Sequence, residues 1–448
     1  MKNYWLQSGF YTFLQRFSTL VFGFGGFYIL IRMQSKHDFG IWALVISITA
    51  LLEVARNGLI QNGLIKYSIG ASEKEQKEIQ SASLFLNITL TIVSCIFLLT
   101  AGPYFETLWH ANGIASLLRV YCLTSIAFIP FQQFSYLQQS NFDFKSLSIM
   151  YMVRQGSFFG VILFNLVFVH HISLNTLIWS TFYTSVISSI VGYIMVRKYF
   201  YVAVLPSKYW IVKLFNYGKY SFGTNVSGML FNSIDQFMLG SMAGTAQVAI
   251  YNASSKINNL VEVPISTVAS IVFPQTSLKA NENNTESVKL MYEKSVSVLL
   301  AMILPVIIFV AVIPTITLTF IAGSSYAEYP GVLMIILLFS LLQPFSRQFG
   351  TVLDSLGKPN INFYCISGAA IINLVLNYSL IPVWGIYGAA FSTFMALLIS
   401  VIVNLVILKQ LINVNFISII SGIVTVYKFI YSKVLDYLKP IFVKQIVL

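Results

Sequence analysis

The sequence predicts an all-α polytopic membrane protein, on three observations: little polar surface, a row of long apolar runs, and basic residues that keep to alternate gaps between them. Hydrophobic residues make up 57% of the 448 positions and charged residues 9%, a balance that cannot solvate a globular surface. About twelve runs are long enough to cross roughly 30 Å of hydrocarbon as helices. They are too long for barrel strands, which also alternate with period two.

The first run, 10–32, follows a polar and aromatic stretch without a cleavable signal, so insertion relies on the run itself. Arg32 and Lys36 separate it from the second, 39–65, and are the only basic residues in the outer gaps. Lys66, Lys74 and Lys77 then lead into the third, 83–101. The fourth, 113–137, carries Gln132, Gln133, Gln138, Gln139 and Asn141 at its inner end, either as helix glue or as amides for sugar hydroxyls. Runs five and six, 147–170 and 173–197, precede Arg197, Lys198, Lys208 and Lys213. Runs seven and eight, 214–240 and 246–277, are punctuated by Asn225, Asn232, Asn258 and Asn259. Pro264, Pro305, Pro314 and Pro344 mark expected bends in runs eight, nine (291–314) and ten (329–353). Runs eleven and twelve are 360–383 and 385–411, the latter opening on Gly385, Gly388, Ala389 and Ala390, a small face for close helix contact.

The tail, 412–448, contains a short apolar segment, 416–432, with Lys428, Lys433, Lys439 and Lys444. An interfacial helix on anionic lipid is expected there, with a two-span hairpin as the alternative. Basic gaps and both termini are placed in the cytoplasm by the positive-inside rule, so the net charge of +12 reflects loop topology and not a nucleic-acid surface. The outer gaps are short, which leaves no ectodomain for chemistry. Cys95, Cys122 and Cys365 lie within runs at spacings that suggest neither pairing nor metal binding, and His37, His110, His170 and His171 sit near outer mouths as surface groups. No catalytic residue, metal or cofactor is expected.

An internal repeat organises the chain. At an offset of 209 positions, Gly9, Tyr11, Phe13, Ser18, Phe22 and Leu30 meet Gly218, Tyr220, Phe222, Ser227, Phe231 and Leu239. Met33, Ile41, Ile48, Leu51, Glu53 and Val54 then meet Met242, Ile250, Ile257, Leu260, Glu262 and Val263. A duplicated unit with an even number of spans keeps both copies in one orientation. The expected domains are therefore six-helix bundles at 1–205 and 206–411, enclosing a central cavity, and a basic tail at 412–448. Rocking of one bundle against the other would expose the cavity to each side in turn.

Charge inside the runs points to the ligand. Arg16, Arg56, Arg119, Arg154, Lys219, Lys256, Lys294 and Arg347 lie within or at the ends of runs, at about 2.5–3.5 kcal/mol each at mid-helix. Arg16, Arg154, Lys219 and Arg347 fall within about two turns of the inner boundaries, and Arg119 and Lys294 near ends, where long side chains snorkel. Arg56 and Lys256 are deeper. Glu53 and Arg56 share a helical face and can form a structural ion pair or line a polar cavity, and Asp235 can pair with Lys256. Cations outnumber Glu53, Asp235, Glu262 and Glu293, so the interior favours an anionic guest such as a phosphate group.

Two stretches resemble a known family. Gly357-Lys358-Pro359-Asn360, then Asn373, Asn377 and Leu380 to Ala390, resembles the signature of polysaccharide flippases of the multidrug/oligosaccharidyl-lipid/polysaccharide (MOP) exporter superfamily. Asp235 to Gly240, Ile250 to Ala253 and Pro274 are similar to that family's seventh and eighth helices, and Tyr136 to Gln139 with Phe142 to Lys145 fits its fourth-to-fifth connection. The resemblance implies a MATE-like fold and a bacterial inner-membrane protein. Its implied substrate is an undecaprenyl-pyrophosphate-linked oligosaccharide, moved from the cytoplasmic to the periplasmic leaflet by alternating access. Membrane lipid is the second partner; a polysaccharide polymerase and a chain-length regulator are candidate neighbours. By position on the first helix, Arg16 matches an Arg that related flippases use for the pyrophosphate. Arg56, Lys219, Lys256 and Arg347 join it from depth and charge, with Glu53, Asp235 and Glu262 as ion-coupling candidates. The competing class is an ion-coupled multidrug or small-molecule exporter of related fold.

Overall fold

The computed structural model describes the backbone of residues 2–69, 71–201 and 206–446. Among them are fourteen α-helices and no strand. The first six expected runs form α1 (Lys2–Met33), α2 (Lys36–Ser68), α3 (Glu73–Leu108), α4 (Ile114–Ser140), α5 (Phe144–Phe164) and α6 (Leu174–Val196). They are followed by α7 (Lys208–Met242), α8 (Thr245–Asn281), α9 (Thr285–Val312), α10 (Pro314–Ala322), α11 (Pro330–Ser355), α12 (Pro359–Trp384), α13 (Ile386–Ile412) and α14 (Phe416–Ile446). Ten described helices are long and apolar enough to cross a membrane, which makes this a multi-pass membrane protein. Runs seven and eight form as α7 and α8, of 35 and 37 residues, but fall outside those ten.

Helix starts are set by side chains that satisfy the first free N–H groups. Ser35 accepts from Asp38, Asp143 from Ser146, Ser173 from Thr176 and Asn284 from Ser287. Ser72 and Glu75 form a reciprocal capping box at α3. Pro330 and Pro359 open α11 and α12, where a missing N–H costs nothing. Pro314 likewise begins a helix instead of bending one, since α9 ends at Val312 and the short α10 follows. Pro305 and Pro344 do lie inside helices.

The repeat is visible in the helix boundaries. α1 ends at Met33 and α7 at Met242, while α2 begins at Lys36 and α8 at Thr245, so both junctions recur at the offset found in the sequence.

Packing divides the chain into two compact units. The first comprises 1–252 with Ile321–Gly323, the second 253–320 with 324–448. In the first, α2 packs against α7, α4 and α3, α1 lies on α5, and α4 lies on α3 and α6. The closest approach is at Gly218, where an added Cβ would stand 1.8 Å from the Leu59 carbonyl oxygen. The α7 helix, which the repeat places at the head of the second half, is thus built into this unit. Arg32 draws in the Ile321–Gly323 segment by donating to the Ile321 carbonyl at 2.7 Å.

In the second unit α12 and α13 form a hairpin, α11 rests on α13 and α9, and α14 rests on α9. α14 is one continuous helix and not a hairpin. Glu293 accepts from the Asn415 amide at 2.8 Å, Ser297 donates to Ile419 O at 2.9 Å, and Tyr427 donates to Ala301 O at 2.9 Å. The ascending order in both helices means that α14 runs parallel to α9. The side chains of Lys433, Lys439 and Lys444 lie outside the described residues.

Candidate functional site

The first unit buries a charged cluster on facing sides of α2, α3, α4 and α5. Glu53, Arg56 and Asn57 are three and four residues apart on α2, so their side chains share one face. On α4, Tyr121, Phe128, Gln132 and Tyr136 recur at spacings of seven and four, which returns them to one stripe. Tyr121 donates to Glu53 Oε1 and Tyr136 donates to Asn57 Oδ1, both through short hydrogen bonds. Arg56 Nη1 donates to Thr91 Oγ1 of α3 at 2.5 Å, and Thr91 in turn donates to Asn87 O at 2.7 Å. From α5, the Arg154 guanidinium stands 4.1 Å above the Phe128 ring and 5.2 Å from that of Phe131. Arg56 faces the same Phe128 ring at 5.7 Å. The Tyr121 hydroxyl interacts electrostatically with Glu53, Arg56 and Arg154.

Two features of this cluster bear on chemistry. Arg56 is only 3% exposed, yet its Nε and Nη2 have no hydrogen-bond partner among the described residues. Glu53 and Arg56 do not form the ion pair expected along α2; the carboxylate accepts from Tyr121 and the guanidinium donates to Thr91. With Arg154 included, two guanidinium groups face one carboxylate. Buried donors without acceptors cost about 1–3 kcal/mol each, and one hydroxyl plus one aromatic face offset only part of that. The cluster is therefore electropositive and carries open donors of the kind that grip phosphate oxygens.

Asp235 is also in the first unit, 1% exposed, and accepts from Tyr251 at 2.6 Å. Beside it Gln236 accepts from Ser47 at 3.0 Å and from Asn252 at 3.2 Å. Arg16 on α1 and Lys219 on α7 are exposed, and Lys219 reaches Asn216 at 3.4 Å. In the second unit, Lys256 and Glu262 on α8 are half-buried and Arg347 on α11 is exposed. Arg347 interacts with two carboxylates, Glu262 and Asp354, and Asp354 accepts from Asn362 at 3.5 Å. Ser340 donates to Asn258 at 2.7 Å.

Sequence reasoning named Glu53 and Arg56 but not their surroundings. Tyr121, Thr91 and Asn57 are not marked by the sequence, because isolated polar residues in an apolar run carry no periodic signal, and Tyr136 is marked only by the family resemblance. Arg154 reads as a snorkelling residue by depth, whereas its guanidinium folds back onto aromatic faces. The amides at the inner end of α4 divide. Gln133 bridges Ser83 and Gln80, and Gln139 accepts from Gln61, as helix glue; the buried amides of Gln132 and Gln138 have no described partner. Cys95 and Cys122, separate in sequence, lie side by side, each thiol 3.8 Å from the other's carbonyl oxygen. No group of three or more metal-ligating side chains occurs among the described residues.

Comparison with known proteins places this architecture. The chain is 24% identical over 403 residues to the uncharacterized membrane protein MJ1068 of Methanocaldococcus jannaschii, covering 86% of this chain and 80% of that one. It is 24% identical over 203 residues to the probable low-salt glycan biosynthesis flippase Agl15 of Haloferax volcanii, covering 45% of this chain and 43% of that protein. Its fold is similar to the inward-facing conformation of a multidrug resistance MATE family transporter of the MOP superfamily, with a TM-score of 0.75 at 15% identity over 88% of this chain and 94% of that one. Residues 29–330 match the family described as polysaccharide biosynthesis protein. With well over half of its length matched and its helices arranged on a MOP-type fold, the chain belongs to the polysaccharide biosynthesis protein family.

Proposed function

We propose that this protein is a flippase for lipid-linked saccharides, and that its substrate is an undecaprenyl-pyrophosphate-linked oligosaccharide repeat unit carried from the cytoplasmic to the periplasmic leaflet. The observation that carries the reading is Arg56: a buried guanidinium with open donors that faces the same Phe128 ring as Arg154 and makes no ion pair with Glu53. Such a group favours a phosphate oxygen over a cationic drug, which supports a phosphorylated substrate over a small-cation exporter. Family membership and the flippase name of the Haloferax relative support the same class.

In this reading Arg56 grips the pyrophosphate by its planar fork, Arg16 and Arg347 offer the same fork, and Lys219 and Lys256 add point charges. The polyprenyl tail stays in lipid, so only the polar head crosses. The protein makes and breaks no covalent bond; it alternates between inward and outward access. Protonation of Glu53, Asp235 or Glu262 resets the cycle. The membrane is the bacterial cytoplasmic membrane, where a polymerase and a chain-length regulator would receive the product.

The test is complementation of a flippase-deficient strain that displays surface glycan. Arg56→Ala and Lys256→Ala should abolish surface glycan with normal amounts of protein in the membrane. Undiminished glycan in either would remove that residue from the route, and in both would overturn the anionic-substrate reading.

A further inference from the structure

At the lysine-rich end of the first unit, the end of α2 and the start of α7 meet in a cluster that the proposed transport route does not use. Lys66 and Tyr67 come from α2; Tyr209, Trp210, Lys213 and Tyr217 come from α7. The Lys66 ammonium stands 4.4 Å from the Tyr217 ring centroid and 5.6 Å from that of Tyr67. The Lys213 ammonium stands 4.7 Å from the Tyr67 centroid, 4.4 Å from Trp210 and 5.0 Å from Tyr209, and donates to the Tyr209 hydroxyl at 3.0 Å. The rings are themselves fixed. Tyr67 packs against Trp210 and Tyr217, and Trp210 is buried in the same core cluster as Leu59, Ile60, Leu64 and Leu214.

Four other lysines form ion pairs with carboxylates. Lys77 pairs with Glu73 at 3.1 Å, Lys198 with Asp143 at 3.8 Å, Lys279 with Glu282 at 2.7 Å and Lys289 with Glu286 at 3.3 Å. Lys66 and Lys213 have no carboxylate within ion-pair distance among the described residues and rest on aromatic faces instead; Glu75 reaches Lys213 only through its longer-range field. A ring face at an exposed site holds an ammonium by only about 0.5–1 kcal/mol, so the charge remains available to an external anion, which makes a stronger, charge-assisted hydrogen bond. Because the rings immobilise both side chains beforehand, an arriving anion gives up little extra ordering entropy. Both ammonium groups border the Tyr67 ring, and an anion with two linked phosphates offers one charge to each. The exposed Tyr209 ring, 63% accessible, stands beside them as an apolar face on which a sugar can stack.

We propose that this cluster is a docking site for the pyrophosphate head of a polyprenyl lipid in the cytoplasmic leaflet, with Lys66 and Lys213 as its phosphate ligands. The site collects the lipid-linked substrate before it reaches Arg56; in this it rests on the flippase reading above. Its occupant is a two-phosphate head and not a bulk phospholipid with one.

The full chain in phosphatidylcholine nanodiscs, titrated with undecaprenyl pyrophosphate and separately with phosphatidylglycerol, tests this by native mass spectrometry of bound lipid. Lys66→Gln/Lys213→Gln should weaken undecaprenyl pyrophosphate binding by at least about tenfold, while Lys66→Arg/Lys213→Arg, which keeps charge and bulk, should stay within about threefold of wild type. Phosphatidylglycerol binding should change little in either. Equal losses for both lipids would make the cluster a general anionic-lipid contact and overturn the proposal. Unchanged pyrophosphate binding in the glutamine variant, together with loss in Arg56→Ala, would overturn it and leave the flippase reading standing. Absence of undecaprenyl pyrophosphate binding in wild type would overturn both.

Discussion

Arg56→Met separates a functional charge from a structural one, because the two predict opposite pairings of stability and transport. Methionine fills most of the volume and carries no donor. Removing a mid-helix guanidinium recovers about 2.5–3.5 kcal/mol of insertion cost. Against this stand the hydrogen bond to Thr91 at 2.5 Å, worth about 1.5–3 kcal/mol as a charged contact, and the Phe128 face at 5.7 Å, worth about 0.5–1 kcal/mol. Thr91 keeps its own bond to Asn87 O, so no new orphan is created. The balance is near zero, and the melting temperature of the purified protein in detergent should be unchanged within a few degrees. Transport should not survive. One unit charge about 5 Å from a phosphate at an effective dielectric near 20 contributes about 3 kcal/mol, so initial flipping of a fluorescent undecaprenyl-pyrophosphate oligosaccharide in proteoliposomes should fall by roughly 100-fold at limiting substrate. A clear loss of thermal stability with flipping intact would show that Arg56 holds helices together and would refute the argument.

Gly218→Ala should lower stability by about 3 kcal/mol or more, since its Cβ would sit 1.8 Å from the Leu59 carbonyl oxygen, whereas Gly23→Ala, with no neighbour within 4 Å, should raise it by up to about 1 kcal/mol; detergent melting curves compare them. Mild copper–phenanthroline oxidation of the membrane-embedded protein should link Cys95 to Cys122 and leave Cys365 free in peptide mass spectrometry, because only the first two thiols are adjacent. Tyr199, beyond the end of α6, is held protonated above the ordinary tyrosine range by burial and then by Asp143, to which it donates at 3.1 Å. A raised folded value means that its contribution is complete below the unfolded value near about 10 and is lost as pH climbs past it. Wild type should thus lose more melting temperature between about pH 9.5 and 11 than Tyr199→Phe does.

The helical class was legible because crossing hydrocarbon demands long apolar runs, and the repeat pairs Met33 with Met242, the residues that close α1 and α7. What composition could not reveal was which side chains meet. Tyr121 reaches Glu53 across 68 positions and Arg56 reaches Thr91 across 35, pairings set by helix rotation, which an all-apolar run leaves undetermined because every face can contact lipid or protein. Depth alone also misread Arg154: a long side chain near a helix end can extend to the surface, but it can equally lie on Phe128. The tail's partners are hidden for a related reason, since a short apolar stretch with lysines does not name Glu293, Ser297 and Ala301 of α9 as its contacts.

The recurring junctions have an evolutionary meaning beyond geometry. Counterparts of the charged positions in and beside the matched stretch are uncharged: Arg56 corresponds to Ile265, Lys256 to Ser47 and Arg16 to Asn225, whereas Glu53 and Glu262 coincide. A half-length ancestor assembling with a second copy of itself would have had to carry each charge twice. Gene fusion would release that constraint, letting one scaffold be inherited in duplicate while its buried charges diverged singly.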